Sequence, residues 1–128
     1  MIRELNIPLF KKLRTRFLRM KHPKHFNMNV IAAKTDCGAA MCMIGHTLEL
    51  AGYKKYINPI PSRAQQNFLD FTFRDPFGHE LTQTLHRETE QLLGLNRDQS
   101  NRLFTDYSLK TPKQAAKRIQ RIIETGEV

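Results

Sequence analysis

Tryptophan is absent from this chain, and cysteine occurs only twice in 128 residues. Two cysteines cannot make a disulfide-stapled scaffold, and free thiols in a reducing compartment are expected instead. A Cys37–Cys42 bridge is geometrically poor, because helical residues five apart sit roughly 8 Å apart at Cα, past the ~7 Å reach of an unstrained disulfide. No apolar run approaches the ~18–20 residues that cross a bilayer, so no membrane span is expected. The opening Met1-Ile2-Arg3-Glu4-Leu5 has neither a long apolar segment nor a small-residue cleavage site. The Arg-rich amino end also contains no serine, so neither an export nor an organelle leader is expected, and the cytoplasm is the expected compartment. A glycine-rich phosphate loop, paired catalytic carboxylates and zinc-finger spacing are all missing, so no cofactor is expected. Internal repeats and low-complexity tracts are missing too.

Acidic residues are scarce at one end. Residues 1–25 carry eight Lys/Arg against Glu4 alone, so +7 of the net charge of +9 resides there. The remaining 103 residues hold thirteen basic and eleven acidic side chains and are close to balanced. A field of that sign attracts phosphate-bearing polymers and acidic protein surfaces. The same charges also serve as the solvated face of an ordinary helix. Hydrophobic content of 40% and a mixed charge set fit a globular chain, and 128 residues give room for one domain, 1–128.

The pattern of apolar residues is mainly helical. Asn6 caps a first helix with Pro8 in its first turn, and Leu9, Phe10, Leu13, Phe17 and Met20 recur at helical spacing. Lys11, Lys12, Arg14, Arg16 and Arg19 fill its other positions, and Pro23 lies beyond its end. After an irregular stretch with Phe26 and Met28, a central helix is expected from Gly38 to Ala51, capped by Thr35 or Asp36 and stopped by Gly52. Its apolar residues cover most of its circumference, which marks it as buried. Residues 53–82 are broken by Pro59, Pro61, Pro76 and Gly78. They allow a short helix over Ser62–Phe68 and a small β-hairpin pairing Leu69–Arg74 with the segment around Tyr56. Phe71 and Phe73 at period two read as core packing first and as base-stacking aromatics second. A helix over Leu85–Leu93 stops at Gly94, and another, capped by Asn96, runs through Leu103-Phe104. This pair has the format of a helix-turn-helix, although its second helix offers only Arg97 and Arg102 beside Asp98. Thr111-Pro112-Lys113-Gln114 is a capping box with proline at the first helical position. The helix it opens buries Ala115, Ala116, Ile119, Ile122 and Ile123, presents Lys113, Lys117, Arg118 and Arg121 outward, and ends at Gly126. The expected fold class is mainly α, with α+β as the variant: a compact helical domain around a buried central helix.

Four pieces of this pattern, in this order, resemble a family of small, functionally uncharacterised bacterial and phage proteins. They are His22-Pro23-x-x-Phe26-x-Met28, Cys37-Gly38-x-x-x-Cys42-x-x-Gly45-His46, Leu92-Leu93-Gly94-Leu95 with Gln99 and Leu103-Phe104, and Thr111-Pro112-x-x-Ala115-x-x-Arg118-Ile119. They span most of residues 22–123, with a gap over 53–82. Members of that family carry Cys-Gly-Thr where this chain has Ala39, and a tryptophan-proline pair that residues 105–110 lack. The resemblance implies a mostly helical domain and supplies no activity.

The segment Asp36–His46 carries the candidate chemistry. At a helix N-terminus the backbone dipole lowers a thiol's pKa and favours the nucleophilic thiolate, and Cys37 is placed for that effect. Asp36-Cys37-Gly38-x-Ala40 is similar to the opening of papain-like, bacteriocin-processing cysteine peptidases, and Asp75-Pro76 matches their Asp-Pro. Those enzymes place a histidine upstream of Asp-Pro, and residues 47–75 have none. They also place an oxyanion-hole glutamine before the cysteine, and the first glutamine here is Gln65. On one helix His46 would lie about 13 Å from Cys37, against the ~3 Å of proton transfer. The base of a cysteine-dependent hydrolase or transferase would therefore be His86 or His79. Cys42 and His46, four apart on one face, are a workable pair of metal ligands, with Cys37, His22, His25, His79 and His86 as further donors for a structural zinc. The simpler reading makes Cys42 a small core residue and His46 a hydrogen-bonded, partly buried imidazole. The leading expectation is a non-enzymatic module that binds nucleic acid or an acidic protein. Lys11, Lys12, Arg14, Arg16, Arg19, Lys113, Lys117 and Arg121 would meet phosphates without reading bases.

Overall fold

Helix start and stop signals translate directly into structure where the chain has them. A computed structural model describes residues 4–28, 33–35, 38–57 and 69–128. Helix α1 spans Ile7–Leu18, and the Asn6 side chain accepts from the Leu9 amide at 3.2 Å. Asn6 also ties this cap to a distant helix end, its amide donating to the Leu93 carbonyl and its Nδ2 to the Leu92 carbonyl, both at 2.9 Å. Helix α2 spans Met43–Leu50, α3 Leu85–Leu93, α4 Arg97–Phe104 and α5 Pro112–Thr125. Thr84 caps α3, while Asn96 with Gln99 and Thr111 with Gln114 complete capping boxes on α4 and α5. A single 3-10 turn, Pro23–His25, follows α1.

Four short strands form one antiparallel sheet: β1 (Ala33–Thr35), β2 (Gly38–Ala40), β3 (Lys54–Ile57) and β4 (Leu69–Arg74), in the order β2-β1-β4-β3. The β3–β4 pair is the expected hairpin, with Lys54 opposite Arg74 and Tyr56 opposite Thr72. The fold is thus mainly helical with a small sheet. The Ser62–Phe68 helix expected from the sequence lies outside the described residues, as do Asp36 and Cys37.

The central helix is shorter than its sequence pattern implies. It begins at Met43 rather than Gly38, with Cys42 at the N-cap position, and Gly38–Ala40 is strand. The cause lies in backbone pairing. The Met41 amide donates to the His25 carbonyl (2.9 Å) and the Met41 carbonyl accepts from the Asn27 amide (3.0 Å), so residue 41 is committed to the 25–27 segment. Ala39 and Ala40 favour helix locally, but pairing with the preceding strand β1, which β4 holds from its other side, prevails.

Residues of every α-helix and of the loops between them supply the core. Phe10, Leu13 and Phe17 of α1, Met43 and Leu48 of α2, Leu93, Leu95 and Leu103, and Ile119 and Ile122 of α5 are fully buried. Helix α1 packs along α5, and α2 lies against α1 and α3. Phe73 of β4 is buried, which favours the packing reading over base stacking at that position. Tyr53 links the α2–β3 turn to α3 through its hydroxyl, which donates to Glu88 Oε2 at 2.6 Å. Gly94 ends α3 at φ +71°, and a Cβ there would collide with the Glu4 carbonyl. Chain reversal and close approach of the amino-terminal segment both require glycine at this point.

Candidate anion cleft and basic helix faces

Cys42 and His46 face the interior. His46 is 2% exposed, and its Nε2–H donates to the His25 carbonyl at 2.9 Å, the same oxygen that accepts from Met41. Phe17 meets the imidazole edge-on with centroids 5.2 Å apart, and Phe26 stacks at 6.4 Å. Burial lowers its pKa from 6.5 to about 4, so the ring is neutral at physiological pH. That tautomer leaves Nδ1 as an acceptor, and it has no partner among the described residues. The imidazole therefore clamps α2 to the 22–28 segment.

Cys42, not Cys37, occupies the helix N-cap position. The Ile44 and Gly45 amides favour its thiolate, as a helix start should. Desolvation outweighs them, and the thiol pKa is raised. A cysteine in this setting is an inert apolar side chain. Among the described residues no three His, Cys, Asp or Glu side chains come together as a metal site.

The two histidines considered as general bases stand in different surroundings. His79 is largely exposed in the turn after β4, where its Nδ1 lies 3.3 Å from Asp75 Oδ2. Asp75 is occupied with that turn, since its Oδ1 accepts from the Phe77 and His79 amides at 2.9 Å each. His86 opens α3, half-buried and edge-on to Phe104 at 5.1 Å. A cavity of about 280 Å³ beside it is lined, among the described residues, by Thr84, His86, Arg87, Glu90, Arg97 and Asn101. In α4, the would-be recognition helix, Arg97 is held by Glu90 of α3 (3.4 Å) and Arg102 by the Asp98 carbonyl (3.4 Å).

The cations divide by role. Lys11 and Lys12 of α1, Arg19 at its C-cap, and Lys113, Lys117 and Arg121 of α5 are exposed. Arg14 and Arg16 are drawn in at the edges of the α1 apolar stripe. Arg14 donates to Gln120 across the α1–α5 seam, and Arg16 donates to Glu49 and, at 3.2 Å, to the His46 carbonyl. Arg118, half-buried, lies 3.6 Å from Asp106. Lys11 precedes Arg14 by three residues and Lys117 precedes Gln120 by three, so both stand one helical turn from the bridge and flank the seam.

Beyond the carboxyl end of α1 lies a cleft of about 440 Å³. Among the described residues, Arg16, Arg19, Lys21 and Lys55 line it with full positive charges, Glu49 supplies the only carboxylate, and Met20, His25, Met41 and His46 contribute the rest of the wall. Glu49 is divided between Arg16 and Lys55, the latter at 2.5 Å, and these cations hold its pKa below the usual carboxylate value despite desolvation, the largest opposing influence. Arg19 and Lys21 have no ion-pair partner among the described residues. The sequence names Arg16 and Arg19 as phosphate-contacting cations of a helix face, gives no sign of a cleft, and does not single out Lys21, Glu49 or Lys55. These come from three segments that only the tertiary fold brings together.

No helix of the described residues is long and apolar enough to cross a membrane. Comparisons with protein-family models, curated proteins and solved structures find no match to this chain.

Proposed function

We propose that this protein is a non-enzymatic nucleic-acid-binding module that engages the phosphate backbone. The observation that carries the reading is the set of exposed cations on two packed helices, Lys11 and Lys12 on α1 and Arg19 at its C-cap, with Lys113, Lys117 and Arg121 on α5. Each phosphate neutralised by such a side chain releases condensed counterions, and this entropy gain is the main source of sequence-independent affinity. Lysine suits the task as a mobile point charge that tolerates any base sequence. The inward-facing Cys42 thiol and His46 imidazole fit a structural role for that pair, since burial raises the thiol pKa and keeps the ring neutral. A reducing, cytoplasmic setting fits the unpaired Cys42. The resemblance of residues 22–123 to small bacterial and phage proteins supports an origin of that kind.

The test is charge reversal. Replacing Lys11, Lys12, Lys113 and Lys117 with glutamate should lower affinity for a short duplex by at least about 100-fold at ~50 mM salt, with helical content unchanged. Equal binding by the wild type and this variant would overturn the reading. Equal competition by polyglutamate and by nucleic acid would instead make the partner an acidic protein surface.

A further inference from the structure

We infer that the cleft beyond α1 binds a phosphomonoester dianion, the terminal phosphate of a nucleic-acid strand. The inference deepens the backbone-binding reading and rests on it for the polymer; the cleft's own chemistry can be tested separately. A phosphate within a strand carries one charge and lies along a convex polymer, which the exposed lysines of α1 and α5 can follow. A terminal phosphate carries close to two charges near neutral pH and offers three unesterified oxygens, so a concave site with several donors suits it better.

The cleft meets those requirements. Its volume of about 440 Å³ exceeds that of a phosphate group and leaves room for the attached sugar. Arg16 and Lys55 are fixed at one wall because Glu49 holds both, which limits the side-chain entropy lost when an anion arrives. Arg16 is oriented a second time by the His46 carbonyl. Arg19 and Lys21, without ion-pair partners among the described residues, bring uncompensated charge to the mouth. The negative pole of α1 also points here and opposes an anion, but a helix dipole amounts to only about half a charge. Among the described residues, four cations against one carboxylate and that pole leave the cleft positive. The neutral imidazole of His46 adds no charge, so the cations do the binding.

The experiment compares end-phosphorylated and hydroxyl-ended oligonucleotides of one sequence, with inorganic phosphate and a nucleoside monophosphate as small probes. The proteins are the wild type, the cleft variant Arg19→Gln/Lys21→Gln and the seam variant Lys113→Gln/Lys117→Gln. All four altered side chains are exposed, so the variants should fold. For the wild type and the seam variant, the phosphorylated end should bind about tenfold more tightly than the hydroxyl end, the value of one or two charge-assisted hydrogen bonds. In the cleft variant that ratio should fall to near one. Equal wild-type affinity for both ends, with no binding of either small probe, would overturn the cleft site while leaving backbone binding intact. If neither oligonucleotide binds but the monophosphate does, and the cleft variant loses it, the cleft stands and the polymer reading falls. If the wild type binds none of the ligands, both fall.

Discussion

Lowering the pH should loosen this fold at one identifiable ring. With an ordinary imidazole pKa of 6.5 when unfolded and a folded value of about 4, the unfolded chain takes up a proton on His46 that the folded chain refuses. The folded pKa is the lower one, so stability is fully present above 6.5 and falls as the pH drops toward 4. The whole shift corresponds to about 3 kcal/mol, and at about pH 5 roughly 2 kcal/mol of it is already lost. Desolvation, with Phe17 and Phe26 against the ring, is the main cause; Arg16 and Lys55 add to it, while the His25 carbonyl and Glu49 oppose it. Glu49, whose folded pKa is held, against desolvation, below the usual 4.5 by Lys55 and Arg16, keeps its contribution at both assay pH values and loses it only as the pH falls below that usual value. The assay is urea unfolding of the wild type and His46→Gln at about pH 7.5 and about pH 5. Glutamine can still donate to the His25 carbonyl but cannot titrate. The variant should be less stable at the higher pH, having lost its ring contacts, and should lose at least about 1.5 kcal/mol less than the wild type on acidification. Parallel losses in the two proteins, or a His46 resonance that titrates near 6.5, would refute the reasoning.

Other expectations follow from single contacts. Gly94→Ala should cost more than the ~1 kcal/mol of an ordinary left-handed glycine, about 2–4 kcal/mol, because its Cβ meets the Glu4 carbonyl as well; thermal unfolding would show it, and a loss under about 1 kcal/mol would contradict the close approach. In a Cys37→Ser background, Cys42 should react with iodoacetamide at least about 100-fold more slowly in the native protein than in urea at about pH 8, as a buried thiol of raised pKa requires; comparable rates would contradict its burial. The Lys11, Lys12, Lys113 and Lys117 charge reversal should abolish nucleic-acid binding without lowering the melting temperature, because none of these residues is buried.

Legibility in the sequence followed the locality of the physics. Asn6, Thr111-Pro112 with Gln114, Asn96 with Gln99, Gly94 and Gly126 all act within one helical turn, and the helix ends they mark are those observed. The β3–β4 hairpin was equally readable, from alternation in Leu69–Arg74. By contrast, Gly38–Ala40 has helix-forming alanines beside a cap signal at Thr35 and Asp36, and becomes strand against neighbouring Ala33–Thr35, which is itself paired to β4, remote in sequence. The same limit governs the site. The periodicity of α1 identified its cations as a group, yet could not show that Arg14 and Arg16 turn in to Gln120 and Glu49 while Lys11 and Lys12 stay in solvent. The approach of Lys55 to that end of α1 depends on the path of the whole central region, for which no short motif exists.

The central claim is that cationic side chains on the outside carry the function while sulfur and imidazole groups support the interior. The most direct measurement is wild-type affinity for a duplex across ~50–300 mM salt. The account expects log K to fall linearly with log salt, with a slope of about −4 to −5 if five of the exposed cations each neutralise one phosphate. A flat dependence, or no measurable binding at the low-salt end, would contradict it.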